Sequence, residues 1–299
     1  MRVAITGASG FIGSALTQHL GGSGAEVVHL VRRSPRADHE RRWDPATAHL
    51  DPETIADCDG IVSLHGAGIG DRRWSPTYKM EILTSRTHGT RAIAGALAAL
   101  AGRGRQVRWV SGSAVGFYGD RGEEVLTEDS PAGEGFLSEV VRAWEGATEA
   151  ATQAGVPVAQ ARTGIVLSPD GGALRPLLLM TRLGLGGPFG RGRAWWPWIT
   201  LQDHVRALAF LLDNSEITGP VNLAGPDERR QGEVVRAIAR ALRRPALLPV
   251  PPPALRLVMG EFADDILASQ RVIPQVLQEA GFAFEHPTVQ DAAAWVAQR

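Results

Sequence analysis

Residues 3–13 read Val-Ala-Ile-Thr-Gly-Ala-Ser-Gly-Phe-Ile-Gly, and this stretch sharply narrows the folds open to the chain. An apolar strand runs straight into Gly7, Gly10 and Gly13, then into a helix carrying Phe11, Ile12, Ala15, Leu16 and Leu20. Each glycine has its own physical task. Gly7 permits a tight turn off the strand, a bare Gly10 lets the backbone approach a diphosphate, and Gly13 lets the helix pack closely on the strand. The first turn of that helix offers unpaired N–H groups and the positive end of its dipole. Strand, glycines and helix in this order predict a dinucleotide site built from Gly7, Ser9, Gly10, Phe11, Ile12 and Gly13.

The same rhythm continues. Strand patterns at 27–31, 60–64, 107–110 and 156–161 alternate with helix patterns, a long one from Pro76 to about Leu100 and another over 134–154. Such alternation implies parallel βαβ units, hence an α/β fold with a Rossmann-type doubly wound parallel sheet and its ligand at the strand C-terminal ends. After Ile165 glycine and proline become dense. Helices at 202–212 and 231–242 follow, with a short strand 221–223 between them, and two more helices span about 254–280. The expected organisation is a cofactor-binding Rossmann domain over 1–168 and a smaller C-terminal substrate lobe over 169–299, with an appended helical segment from about 249. Some strands of that lobe are expected to return to the main sheet.

Charge excludes several partners. Among 299 residues, 31 basic side chains face 32 acidic ones, so neither a nucleic acid nor a membrane surface is expected as partner. No apolar run reaches the ~18 residues of a membrane span, and the N-terminus reads as a strand and not as a signal peptide. Cys58 is the one cysteine; it fits a reducing, cytoplasmic setting and rules out Cys-type structural zinc. No His/Asp/Glu group shows metal-ligand spacing, and no metal is expected.

The strand Val27–Val31 ends in Arg32-Arg33. A site that prefers NAD places a carboxylate there for the ribose 2′-hydroxyl. Two guanidinium groups suit a 2′-phosphate instead, and NADP(H) is the expected cofactor.

Gly7-x-x-Gly10-x-x-Gly13 after a first strand resembles the extended short-chain dehydrogenase/reductases, the NAD(P)-dependent epimerase/dehydratase group. Ile61-Val62-Ser63-Leu64-His65-Gly66-Ala67-Gly68 is similar to that group's strand and small-residue loop beside the cofactor. Val110-Ser111-Gly112-Ser113-Ala114, followed by Tyr118-Gly119, is similar to its strand carrying the catalytic serine, and Arg162-Thr163-Gly164 to the segment lining the nicotinamide. Trp74, Lys79, Ser85-Arg86, Tyr118-Gly119-Asp120-Arg121-Gly122, Trp144-Glu145, Trp198-Ile199, Asp203 and the run Pro251–Pro287 resemble an atypical branch of epimerase family proteins with a C-terminal domain of unknown function. The resemblance covers essentially the whole chain. It implies cofactor contacts from His65, Gly66, Ala67, Gly68, Arg86, Ser111, Arg162, Thr163 and Gly164.

The standard mechanism of the group does not carry over. It uses a Tyr general acid/base with a Lys four residues later. Lys79 is the one lysine here, with Ser75 four residues before it, and Tyr78 and Tyr118 are followed at that spacing by Ile82 and Gly122. Ser113, Tyr118 and Arg86 remain as candidate catalytic residues, with Arg121 a candidate to lower the phenol's pKa. Lys79 and Arg86 share a helix face with Leu83 and Thr90 and could meet an anion, and Trp195 and Trp196 are read as exposed or pocket-facing. Lys79, Trp195 and Trp196 are therefore the expected substrate contacts. Glu123, Glu124, Glu128 and Asp129 are expected to form an exposed acidic loop. Two functions stand at this level. One is an NADP(H)-dependent oxidoreductase or epimerase-like enzyme, monomeric or homodimeric, acting on a small anionic or carbonyl substrate. The other is a non-catalytic NADP(H)-binding sensor or partner-binding module.

Overall fold

The computed structural model describes residues 1–172 and 175–298. Strand β1 (Arg2–Thr6) leads into α1 (Phe11–Gly22), then β2 (Glu26–Val31), β3 (Glu40–Arg42), β4 (Gly60–Ser63), α2 (Pro76–Ala101) and β5 (Arg108–Ala114). Ser75 caps α2 by accepting from the Tyr78 N–H, and Pro76 occupies the first turn, where its missing N–H costs nothing. After β6 (Val125–Leu126) come α3 (Phe136–Gly146), α4 (Glu149–Gln153), β7 (Val158–Thr163) and β8 (Ile165–Leu167). The expected single helix over 134–154 is broken after Gly146, where Thr148 turns its hydroxyl back to the Glu145 carbonyl.

The second half runs α5 (Arg175–Arg182), β9 (Trp195–Trp196), β10 (Trp198–Thr200), α6 (Leu201–Asp213), β11 (Gly219–Leu223), β12 (Arg229–Arg230) and α7 (Gln231–Ala241). The C-terminal segment holds α8 (Pro252–Met259), α9 (Phe262–Leu267), β13 (Arg271–Val272), α10 (Gln275–Glu279) and α11 (Val289–Val296). Where two helices were expected over 254–280, three short ones therefore stand, with a strand between them.

Seven strands form the main sheet in the order β11-β7-β5-β4-β1-β2-β3, every pairing parallel. The order reverses at β1, whose neighbours are β2 and β4, and this switch point opens a crevice at the strand C-terminal ends. Side-chain alternation splits the core between the two faces. Val3 and Ile5 pack with Leu16 and Leu20 of α1 and Leu208 and Leu211 of α6. Ala4, Val28, Leu30, Ile61 and Trp109 face the other way, onto Ile93 and Leu97 of α2 and Ala151 of α4. A third cluster joins Leu178, Trp196, Trp198, Val234, Ile238, Val289 and Val296 beneath the C-terminal part. β11 and α6, beyond residue 169, belong to the main sheet and its cover. Among the described residues no helix is long and apolar enough to cross a membrane.

Candidate dinucleotide site

The turn after β1 is shaped by backbone crowding. Gly7 has φ +70°, and a Cβ there would sit 2.7 Å from the Leu64 carbonyl oxygen. A Cβ on Gly13 would sit 2.2 Å from the Gly7 oxygen, so helix and strand touch through bare backbone. Gly10 is the N-cap of α1, no side chain caps the helix, and its first turn carries no acid. The leading N–H groups of α1 are thus left for an anion, with Ser9 and Gly10 exposed beside them. The Phe11 ring reaches over to Gly172, where a Cβ would sit 2.8 Å from it. These residues fit a dinucleotide's diphosphate on the geometry itself: a helix end without a cap, behind glycines that keep side chains out.

At the end of β2 the two arginines part company. Arg32 is exposed and makes no ion pair. Arg33 is engaged by Glu40 through two hydrogen bonds of 2.7 and 2.5 Å, which holds the Glu40 carboxyl down to about 2. The pair of free guanidinium groups read from sequence is therefore one, Arg32. Glu40 lies close to His29 and His39, and the ligand atoms of the three are within 4.8 Å of one another, a grouping that sequence spacing did not show. Glu40 also accepts from the Arg36 N–H at 2.7 Å, so its oxygens are already occupied.

The loop after β4 holds His65, Gly66, Ala67 and Gly68. The His65 ring turns inward. Its Nδ1 lies 2.9 Å from Thr6 Oγ1, its ring meets Trp43 edge-on at 5.0 Å, and a Cβ on Gly89 would sit 2.3 Å from its Nε2. Burial pushes its pKa down to about 4. The imidazole is a neutral packing group against α2 and is badly placed as an acid. The Arg86 side chain folds over the same loop, donating from Nη1 to the carbonyls of Ala67 (3.0 Å) and Ile82 (3.1 Å). Its guanidinium carbon is 5.2 Å from the Trp144 ring centroid. Thr90, expected on the same open face, is buried and accepts from Trp144 Nε1 at 3.0 Å. Lys79, expected as a substrate contact, is engaged by Glu261 and lies over the Trp74 and Phe136 rings.

The C-terminal end of β5 carries a buried polar chain. Ser113 Oγ donates to Glu145 Oε1 at 2.5 Å. Glu145 accepts from Arg162 Nε at 2.8 Å and Nη2 at 2.9 Å. The Arg162 guanidinium stacks on Phe117 at 3.6 Å and donates from Nη1 to the Tyr118 hydroxyl at 2.9 Å. That hydroxyl donates onward to Asn222 Oδ1 at 2.7 Å. Ser111 faces the same strand end with only a long contact of 3.4 Å to the Gly112 carbonyl. Thr163 meets the buried His204 at 3.0 Å, and a Cβ on Gly164 would sit 2.2 Å from the Pro197 oxygen, so backbone crosses backbone there.

Several sequence expectations fail here for physical reasons. Tyr118 is fully buried, and that burial pushes its phenol pKa up, against the pull of Arg162. Arg121 does not reach it, being paired with Glu124. Tyr118 therefore braces the network and is not an acid waiting at the cleft. Trp196 is buried in the third core cluster, where its ring meets Phe189 at 5.7 Å, and it also borders a small recess shared with Trp195, Trp198 and Arg271. Trp195 is half-buried beside the same recess, with the guanidinium groups of Arg230 (4.5 Å) and Arg271 (4.7 Å) near its ring, and it donates to Glu123. In the expected acidic loop, Glu128 is buried, accepts from the N–H groups of Asn222 (3.0 Å) and Val276 (3.3 Å), and has its carboxyl pKa raised by burial.

Glu145 was missed as a functional residue, although a signal existed. Arg162 sits in the apolar strand Val158–Thr163, and a cation there needs a buried counter-charge. Comparisons with known families, proteins and structures then bear on the site. Residues 3–224 match the NAD-dependent epimerase/dehydratase family, and residues 250–296 match a domain of unknown function (DUF1731). An epimerase family protein of Mycobacterium tuberculosis is 42% identical over 298 residues, covering 99% of this chain and 98% of that one. The mouse epimerase family protein SDR39U1 is 36% identical over 98% of each chain. The crystal structure of human epimerase family protein SDR39U1 (isoform 2) with NADPH matches all of both chains at 32% identity and a TM-score of 0.89. A UDP-glucose 4-epimerase of Thermus thermophilus with NAD, 20% identical with a TM-score of 0.76, shares the fold.

Proposed function

The chain belongs to the NAD-dependent epimerase/dehydratase family, and from that premise we propose that it is an NADP(H)-dependent oxidoreductase or epimerase-like enzyme acting on a small molecule. The observation that carries the cofactor reading is the uncapped N-terminus of α1 behind Gly7, Gly10 and Gly13, with Arg32 free at the end of β2. The relative crystallised with NADPH supports the same choice.

A bound nicotinamide supplies hydride transfer. The chain's own residues do the rest. The first turn of α1 holds a diphosphate through backbone N–H groups, and Arg32 meets a 2′-phosphate. Ser113 stands at the C-terminal end of β5, where ligands of such sheets bind. Its proton points at Glu145, so its oxygen offers a lone pair and accepts a hydrogen bond from a substrate hydroxyl. Arg162 keeps Glu145 in place with two charge-assisted hydrogen bonds. No Tyr–Lys couple takes part.

The test is NADPH oxidation against a panel of small carbonyl compounds, followed at the nicotinamide absorbance band. Turnover that Ser113→Ala abolishes while NADPH affinity persists supports the enzyme. NADPH binding with no oxidation by any member of the panel favours the non-catalytic sensor.

A further inference from the structure

Among the described residues, Arg86, Arg108 and Arg162 carry largely buried guanidinium groups, and only one of them has donors to spare. Arg162 is matched by the Glu145 carboxylate. Arg108 uses Nε, Nη1 and Nη2 on the carbonyls of Leu211, Ser215 and Ile217, closing the C-terminal end of α6. Arg86 uses Nη1 alone, on Ala67 and Ile82, and has no carboxylate in ion-pair range. Its Nε and Nη2 bond nothing in the folded chain. Burial also drags its pKa down to about 10. Those two nitrogens are not sealed from solvent, so an anionic ligand that reaches them exchanges water for charge-assisted hydrogen bonds.

The position of Arg86 says what kind of ligand. Its guanidinium fills the space that a side chain on Gly66 would need, 3.2 Å from that Cβ position. Gly66 stands two residues after Leu64, whose carbonyl abuts the Gly7 turn. The Trp144 ring beneath the guanidinium packs on Gly112, beside Ser113, with its Cζ2 2.9 Å from a Cβ placed there. Arg86 thus lies between the diphosphate turn and the Ser113 hydroxyl. A planar fork with a parallel Nε–H and Nη2–H recognises an oxyanion, a carboxylate or phosphate group, in bidentate fashion.

We propose that Arg86 is the receptor for an oxyanion on the substrate, so that the substrate class is a small carboxylate- or phosphate-bearing molecule whose hydroxyl is presented to Ser113. The second half of that statement rests on the enzyme reading above.

The experiment follows the Nε–H resonance of Arg86 in protein labelled at arginine nitrogen, assigned by its loss in Arg86→Met. Acetate and inorganic phosphate are titrated in turn, with and without saturating NADPH, and NADPH binding is measured separately by calorimetry. A saturable shift with either anion, retained when NADPH is bound, is the expected result. No shift with either anion overturns the proposal. A shift on NADPH alone, after which neither anion has any effect, also overturns it and makes Arg86 a cofactor contact. Failure of NADPH to bind sinks the cofactor reading while the apo titration still reads Arg86. A stability arm guards against a purely structural role. Arg86→Met should leave the urea midpoint unchanged or higher, whereas Arg108→Met should lower it. A fall in Arg86→Met as large as that in Arg108→Met would mean that the Arg86 donors already serve the fold, against the proposal.

Discussion

Ser113 Oγ and Glu145 Oε1 are 2.5 Å apart, and through that contact the hydroxyl at the end of β5 is tied to a buried ion pair with Arg162. The arrangement fixes which way the serine proton points. It also makes Glu145 a structural residue as well as a positioning one, because removing its charge strands Arg162, whose side chain is 4% exposed.

Glu145→Ala should therefore cost stability heavily. Breaking one partner of a buried pair costs about 3–5 kcal/mol. Arg162→Met should cost a similar amount, and the double variant less than the sum, because neither charge is then left alone. Urea unfolding of the three variants measures this, and strict additivity would argue against the coupling.

Cofactor preference should rest on Arg32 more than on Arg33. A charge-assisted hydrogen bond contributes about 1.5–3 kcal/mol, so Arg32→Ala should weaken NADPH about tenfold or more while leaving NADH affinity nearly unchanged. Arg33→Ala should have the smaller effect, because Glu40 already holds that guanidinium. Calorimetric titration of both cofactors into both variants decides it, and equal losses would show that Arg33 leaves Glu40 on binding.

The glycines of the turn should separate into two classes. Gly13→Ala places a Cβ 2.2 Å from the Gly7 oxygen, an overpacking between backbones that should destabilise by about 2–3 kcal/mol. Gly10→Ala meets that oxygen only at 3.1 Å; it should fold, with NADPH affinity reduced because a methyl group stands where the diphosphate must approach. Thermal unfolding with and without NADPH separates the two effects. NADPH protection fully retained in Gly10→Ala would count against the diphosphate site.

Acid sensitivity should trace in part to His204, which is wholly buried and whose pKa burial lowers to about 4. Between about pH 6.5 and 4 the unfolded chain takes up a proton on this residue that the folded chain refuses, so its contribution to stability is lost as pH falls through that window. His65 has the same sign. Asp265, raised to about 6 by burial, has the opposite one, losing its contribution as pH rises. A comparison with His204→Gln isolates the single group. Relative to wild type, the variant should gain about 2–3 kcal/mol on going from ~pH 7.5 to ~pH 4.5. Parallel pH curves would mean that His204 is protonated in the folded protein.

The Gly7-Gly10-Gly13 turn, the long α2 and the parallel sheet were legible in the residues because their causes are local. A tight turn needs glycine within a few positions, and helix or strand periodicity repeats within one element. What the sequence could not show is which polar groups meet. Ser113 finds Glu145 across 32 residues and Lys79 finds Glu261 across 182, pairings set by strand order and by where the C-terminal segment docks. The burial of Tyr118 was not legible for a related cause. A tyrosine or tryptophan carries the same side chain in a cleft or a core, and only the tertiary structure decides its exposure, its partners and hence its chemistry. Arg32 and Arg33 are adjacent and chemically identical in the sequence. The fold made them different by placing Glu40 on the strand beside β2, within reach of only one.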